Sequence, residues 1–130
     1  MSDARFLALN ETKGLTLVPN TRRAERFAAR LRGLMFRRRL GADEGLLLVG
    51  QRESRIDAAI HMFFVFFPIG VLWLDNQNRV VDRVVARPFR PVYVPRAPAV
   101  GVLECQPEVL EKVAIGDTIR FMSSEVHDAA

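Results

Sequence analysis

The sequence has little cysteine and no long uninterrupted apolar run. Its single cysteine, Cys105, cannot form an internal disulfide, which predicts a domain held together by its core in a reducing compartment, the cytoplasm. The N-terminus lacks the basic start and apolar run of a secretory signal. Residues 60–74 form the longest apolar segment, but His61, Pro68 and Gly70 interrupt it. Because a spanning helix needs about 20 apolar residues, we expect no membrane span.

Signatures of known chemistry are also missing. There is no CxxC or HxxxH pair, no acidic loop with calcium-binding spacing, no phosphate-binding glycine loop and no GxSxG. We therefore predict no metal and no cofactor. Without a recognisable catalytic set, an enzyme is the less favoured interpretation.

The 130 residues, 49% of them hydrophobic, are enough for one domain with a real core. Short apolar runs separated by turn residues predict about eight strands. The runs are residues 5–9, 15–18, 45–49, 55–62, 63–67, 69–75, 79–85, 100–106 and 118–122, and the runs 55–62 and 63–67 count as one strand. Asn20 or Thr21 can cap a helix over 21–32, and Pro107 suits the start of a short helical turn. We predict a mainly β (α+β) domain over 1–122, built as an antiparallel sandwich or partly open barrel, and a loose tail over 123–130.

The phenylalanine-rich stretch FFVFF, residues 63–67, is the most unusual part of the chain. In a strand with period two, both sides of residues 60–67 would be apolar. A strand of this kind is covered on both faces. We therefore expect residues 60–74 to form the centre of the core, closed by a turn between Asp75 and Arg79.

Arginine supplies almost all of the positive charge, since Lys13 and Lys112 are the only lysines and the net charge is +4. Arg22, Arg26 and Arg30 are four residues apart, which would align them on one side of the predicted helix, with Arg32 close behind. Such a row can hold an anionic ligand, a nucleic acid or an acidic protein. The alternative is a solvated helix face.

The proline-rich connector, residues 86–100, alternates arginine with aromatic residues. Arg87, Phe89, Arg90, Tyr93 and Arg96 stand in this order. Aromatic rings and guanidinium groups in alternation can stack on nucleic-acid bases. Alternatively, the two aromatic rings fix the connector to the core.

His61 and Glu104 are the candidates for acid–base chemistry, because imidazole titrates near neutral pH and Glu104 lies in an apolar strand. The alternatives are a histidine at the edge of the core, bonded to backbone, and a glutamate that is exposed or paired with Arg30 or Arg32. A nucleophilic pair of Cys105 and His61 would need hydrogen-bond contact.

Three stretches of the chain carry a resemblance to a known family. They are RLRGLMFRRRL with GLLLV (residues 30–49), IHMFFVFFPIGVLWLD (60–75), and VLE followed by GD (102–104 and 116–117). Together they resemble the uncharacterised family called domain of unknown function 192, over roughly residues 15–121. The resemblance implies a compact mainly β domain of jelly-roll-like topology, and it implies no agreed activity.

Two positions depart from the pattern of that family. Its members usually carry an aspartate after "PI", where this chain has Gly70, and often a glycine-containing turn after "LE", where this chain has residues 105–108, CQPE. If the usual carboxylate belongs to a site, that site is altered here.

Three functional hypotheses follow. The preferred one is a non-catalytic binding or accessory domain for an anionic ligand or partner. The alternatives are a small enzyme using His61 as acid or base near Glu104, and a structural or oligomerising unit. The candidate ligand-binding residues are Arg22, Arg26, Arg30, Arg32, His61 and Glu104. The sequence names no ligand, reaction or pathway.

Overall fold

The computed structural model describes residues 5–24, 40–62 and 65–123, and these residues are mainly β. Their seven strands are β1 Arg5–Asn10, β2 Leu15–Ala24, β3 Glu44–Ser54, β4 Ile69–Leu74, β5 Val80–Ala86, β6 Ala99–Cys105 and β7 Ile119–Ser123. A 3₁₀ helix, η1, spans Pro107–Lys112 and begins with proline as predicted. The mainly β fold class is confirmed.

The strands form one sheet in the order β5-β4-β6-β3-β2-β1-β7. Neighbouring strands are antiparallel except β2 and β3, which are parallel. The sheet curls until its two edge strands meet at one end. There Arg79 and Thr118 form a β-bridge, and the backbone N–H of Ile119 donates to the Asn78 carbonyl at 2.8 Å. The architecture is a curled, partly open barrel.

The central strands are buried on both faces. In β4, Val71 and Trp73 face a core on the outer side of the sheet, while Leu72 and Leu74 face a core inside the curl. The core cluster inside the curl contains residues of all seven strands and of η1. We call this cluster the inner core. We call the other cluster the outer core. Residues outside the strands cover it, namely Ala58, Ile60, Met62, Val65, Phe67 and Tyr93. This double covering explains the continuous apolar sequence of β4.

The prediction of strands over 55–62 and 63–67 is wrong for the described residues of these stretches. Residues 55–58 form a turn, and Ile60 makes only an isolated bridge, to Tyr93. The N–H of Val65 donates to the Met62 carbonyl at 3.2 Å, a bond between residues three apart that an extended strand does not make. Met62 and Val65 are both buried in the outer core, whereas Phe66 is 48% exposed. Residues 63 and 64 lie outside the described residues.

The helix predicted over 21–32 is wrong at its first turn. Residues 21–24 belong to β2, where Arg22 is paired with Arg5 of β1 and Leu46 of β3. Strand pairing on both sides outweighs the weak local capping signal. Residues 25–32, with Arg26, Arg30 and Arg32, lie outside the described residues. In the described ranges, none of the helices has the length and apolarity needed to cross a bilayer.

Candidate binding surface

A loop rich in arginine and aromatic residues, residues 87–96, lies over the outer core between β5 and β6. Tyr93 pairs with Ile60 through two backbone hydrogen bonds of 2.8 and 2.9 Å. The Tyr93 hydroxyl accepts the backbone N–H of Arg87 at 2.8 Å. Tyr93 therefore fixes the loop to the core, as one of the two interpretations of the connector expected. We call residues 87–96 the arginine–aromatic loop.

Two side chains outside the loop hold its far end. The buried Asp82 carboxylate of β5 accepts the backbone N–H of Arg96 at 2.9 Å, and Arg55 Nε donates to the Pro95 carbonyl at 2.8 Å. Both anchors bind backbone groups of the loop, which leaves the side chains of Arg87 and Arg90 outside these contacts. The loop is thus irregular in secondary structure, but hydrogen bonds fix its backbone along its length.

Phe89 does not pack into the core. Its side chain is 51% exposed and lies against Phe66, with 5.4 Å between ring centroids and 56° between ring planes. The backbone of Phe89 has φ of 63°, in the left-handed region, where a bulky residue is a conformational outlier. Its N–H donates to the Met62 carbonyl at 2.9 Å, which helps to hold this conformation. The sequence did not predict this exposed aromatic pair, because Phe66 was assigned to a buried strand.

Arginines flank Phe89 in the sequence of the loop. Arg87 and Arg90 are exposed, and the Arg90 guanidinium carbon lies 5.0 Å from the centroid of the Tyr93 ring. Within the described ranges, no carboxylate forms an ion pair with Arg87 or Arg90. The side chain of Arg96 is 85% exposed, and its Nε lies 3.8 Å from the Asp82 carboxylate. The loop therefore presents planar cations beside exposed aromatic surface.

The residues singled out for acid–base chemistry lie on the outer side of the sheet. Glu104 is 7% exposed and is paired with Leu46 and Val71, both members of the outer core. His61 is half-buried in the segment that covers this face, and its Nδ1 atom is buried. The structure therefore does not separate His61 from Glu104 by the sheet.

Of the predicted arginine row, only Arg22 can be placed. Arg22 lies on β2, where Leu46 of β3 separates it from Glu104 of β6. Two strand spacings put the Cα atoms of Arg22 and Glu104 about 10 Å apart. The cross-strand neighbour of Arg22 is Arg5, so two half-buried arginines face each other. Like charges directly opposite in a sheet are destabilising. This pair is a second, smaller cationic feature.

Cys105 is fully buried on the inner side of the sheet, opposite to the face that His61 covers. Burial, with the nearby Glu104 and Glu108 carboxylates, raises the pKa of Cys105 to about 12. Its Sγ donates to the Gly70 carbonyl at 3.7 Å. A thiol in this setting stays protonated, so the structure does not assemble a nucleophilic pair with His61.

Two carboxylates hold the end where the barrel edges meet. Hydrogen bonds from the Ala114 N–H and the Asn10 side chain, with Lys13 Nζ at 3.2 Å, hold the pKa of Asp117 below its usual value despite burial. Burial by itself would raise the pKa of Asp75, but backbone N–H groups of Arg79 and Gln77 and the Arg79 guanidinium lower it overall. These carboxylates are structural.

Within residues 5–24, 40–62 and 65–123, no group of three or more His, Cys, Asp and Glu side chains is arranged to hold a metal ion.

The fold defines a class of mainly β proteins built on a single curled sheet. Two solved structures share it: one described as a putative transcription regulator from Sinorhizobium meliloti and one of unknown function from Novosphingobium aromaticivorans. Their TM-scores are 0.78 and 0.79 at 21% and 22% identity, and the similarity covers 91% and 90% of this chain and 92% and 84% of theirs.

Sequence comparison identifies the family. The family DUF192, described as "Uncharacterized ACR", matches residues 8–121. UPF0127 protein TK1120 of Thermococcus kodakarensis is 33% identical over 95% of this chain and 78% of its own length. UPF0127 protein PH1112 of Pyrococcus horikoshii is 34% identical over 90% of this chain and 100% of its own. The chain belongs to the DUF192 family, whose function is unknown.

Proposed function

We propose that this protein is a non-catalytic binding domain for an anionic partner and that the arginine–aromatic loop is its main contact surface. The observation that carries this proposal is the placement of Arg87 and Arg90. Both are exposed on an anchored loop, and neither is neutralised by a carboxylate in the described parts of the chain.

Arginine suits this role because its guanidinium stays charged and offers a planar fork of donors to phosphate or carboxylate oxygens. A guanidinium beside low-dielectric aromatic surface is less screened than one on an open strand. The net charge of +4 adds a long-range attraction for anions, which raises the rate of association.

The anchoring of the loop also favours binding. Its backbone is held at Tyr93 and Arg96 before any partner arrives. Binding then orders few additional groups, and the entropic cost of association is smaller than for a free loop.

The test compares two double variants that each remove two positive charges. Arg87→Gln with Arg90→Gln changes the loop, while Arg52→Gln with Arg120→Gln changes arginines that pair with Asp57 and Glu11. On immobilised heparin in a salt gradient, we expect the loop variant to elute at clearly lower salt than the control variant. Equal shifts would show that only net charge matters. A wild-type protein that is not retained at low salt would refute the proposal.

The predicted arginine row is a competing location for the same activity. Replacement of Arg22, Arg26 and Arg30 together by Gln tests it on the same column. If this triple variant loses retention and the loop variant does not, the binding surface lies at the row. Retention that is unchanged in the triple variant removes the row from consideration.

The enzyme hypothesis is favoured by one observation: the buried Glu104 carboxylate lies on the face that the His61 segment covers. The test is a panel of ester, phosphoester and peptide substrates. Turnover that is abolished in both His61→Ala and Glu104→Gln, with native circular dichroism, would replace the binding proposal. Turnover that survives both changes would exclude these residues as an acid–base pair.

A further inference from the structure

We infer that the anionic partner is a single-stranded nucleic acid whose bases stack on the Phe89–Phe66 pair while its phosphates contact Arg87 and Arg90. This inference rests on the proposed function and specifies its ligand. It is carried by the exposed aromatic pair, which charge recognition alone would not require.

The conformation of Phe89 is the first argument. A left-handed backbone favours glycine or asparagine at this position, and a phenylalanine there keeps half its surface in water. Local stability therefore does not explain the ring. Strained backbone of this kind is concentrated at functional sites, where the surrounding structure over-determines it. Here the strained conformation of Phe89 is held by the hydrogen bond from its N–H to the Met62 carbonyl and by the anchored loop.

The position of the arginines is the second argument. Arg87 and Arg90 are two residues before and one residue after Phe89, on the same anchored turn. A single nucleic-acid strand alternates bases with phosphates. This order matches an aromatic ring, which stacks on a base, with a cation on each side of it in sequence, which contacts a phosphate. An acidic peptide would use the cations, but it offers no regular series of planar faces for the rings.

The third argument separates single strands from duplexes. Base faces are stacked on one another inside a duplex and are not accessible to aromatic side chains of a protein surface. The described residues present no helix of a length that fits a major groove. Stacking on exposed aromatic rings is sequence-tolerant, so we expect little discrimination between bases.

The test measures fluorescence anisotropy of labelled twelve-nucleotide oligo(dT) and oligo(U), and of a duplex of the same length. We expect the single strands to bind, the duplex to bind more weakly, and affinity to fall as salt rises from 50 to 200 mM. Phe89→Asn removes the ring and suits the left-handed backbone, so the variant folds. It should bind single strands about tenfold more weakly, since stacking on one base is lost. Phe89→Tyr should restore binding.

The matched control is Ile115→Ala, which removes an exposed apolar side chain, 57% accessible, outside the loop. Its affinity should equal that of the wild type. Single-strand binding that is unchanged in Phe89→Asn would overturn the inference. Heparin retention that depends on Arg87 and Arg90 without single-strand binding would also overturn it and leave the proposed function standing. Absence of both kinds of binding refutes both.

Self-association would overturn the inference in another way. If light scattering gives a dimer for the wild type and a monomer for Phe89→Asn, the exposed pair is an interface between two copies. We expect the same monomeric mass for both proteins.

Discussion

Gly70 of β4 lies against the Gln106 carbonyl so closely that a Cβ on Gly70 would be 2.9 Å from that oxygen. The Cα of Pro107 would be 3.2 Å from the same Cβ. The two places where the chain departs from the family pattern are therefore in contact. The turn that leads into η1 occupies the space that a side chain at position 70 would need. Gln106 also donates its side-chain amide to the Leu40 carbonyl, which fixes the turn further.

Gly70→Ala should destabilise the protein by about 1–3 kcal/mol, because the nearest atom is backbone and cannot move cheaply. Gly70→Asp should cost more, since it also buries a carboxylate beside a carbonyl oxygen. Urea unfolding followed by the fluorescence of the buried Trp73 measures both. Gly50→Ala is the control, because its Cβ would meet nothing closer than 3.5 Å. A Gly70→Ala protein as stable as this control would contradict the close contact.

Asn78 has φ of 60° in the turn that joins β4 and β5. Asn78→Ala should cost about 1 kcal/mol, because alanine is strained in the left-handed region. Asn78→Gly should be close to neutral, since glycine adopts this conformation freely. Thermal unfolding should place the alanine variant several degrees below the glycine variant. Equal melting temperatures would exclude strain at this position.

Asp117 should make stability depend on acidic pH. Its pKa is lower in the folded protein than in the unfolded chain, so its contribution is fully present above the unfolded value, about 3.9. That contribution is lost as pH falls through the folded pKa. Asp117→Asn should lower the unfolding free energy at pH 7 by about 1.5–3 kcal/mol, the range for hydrogen bonds to charged groups.

The difference between Asp117→Asn and the wild type should shrink in urea titrations performed from pH 5 toward pH 2. A difference that stays constant over this range would mean that the carboxylate is not paired as described. Glu11→Gln is a suitable control, because Glu11 is an exposed acid whose contact with Arg120 is 3.8 Å.

Cys105 should be unreactive in the folded protein. With its pKa raised to about 12, the thiol stays protonated at pH 8, and the inner core shields it from reagents. Iodoacetamide at pH 8 should label it only after denaturation in guanidinium chloride, as judged by intact mass. Rapid labelling of the native protein, at a rate near that of the denatured chain, would refute this burial.

The regular part of the fold was readable from residue patterns. Strands β1, β4, β5, β6 and β7 lie within a residue or two of their predicted positions, because short apolar runs bounded by turn residues define them. The proline at the start of η1 and the turn between Asp75 and Arg79 were predicted for local backbone reasons. Each of these features depends on neighbours in sequence.

The errors arose where distant contacts override local patterns. Residues 21–24 extend β2 because β1 and β3 supply hydrogen-bond partners, which a capping pattern cannot reveal. Met62 and Val65 pack on the outer core without forming a strand, because that face of β4 and β6 needs a cover. The parallel pairing of β2 and β3 likewise joins strands whose partners are more than 20 residues apart in sequence.

The sequence by itself determined a mainly β domain with an arginine excess, because side-chain period, turn residues and charge are local properties of the chain. Only the tertiary structure decided which aromatic rings reach solvent. Tyr93 turns its hydroxyl to the loop backbone and Phe89 meets Phe66 at the surface, since hydrogen bonds to Ile60 and Met62 set those directions. Such contacts join segments far apart in sequence, so no local pattern encodes them.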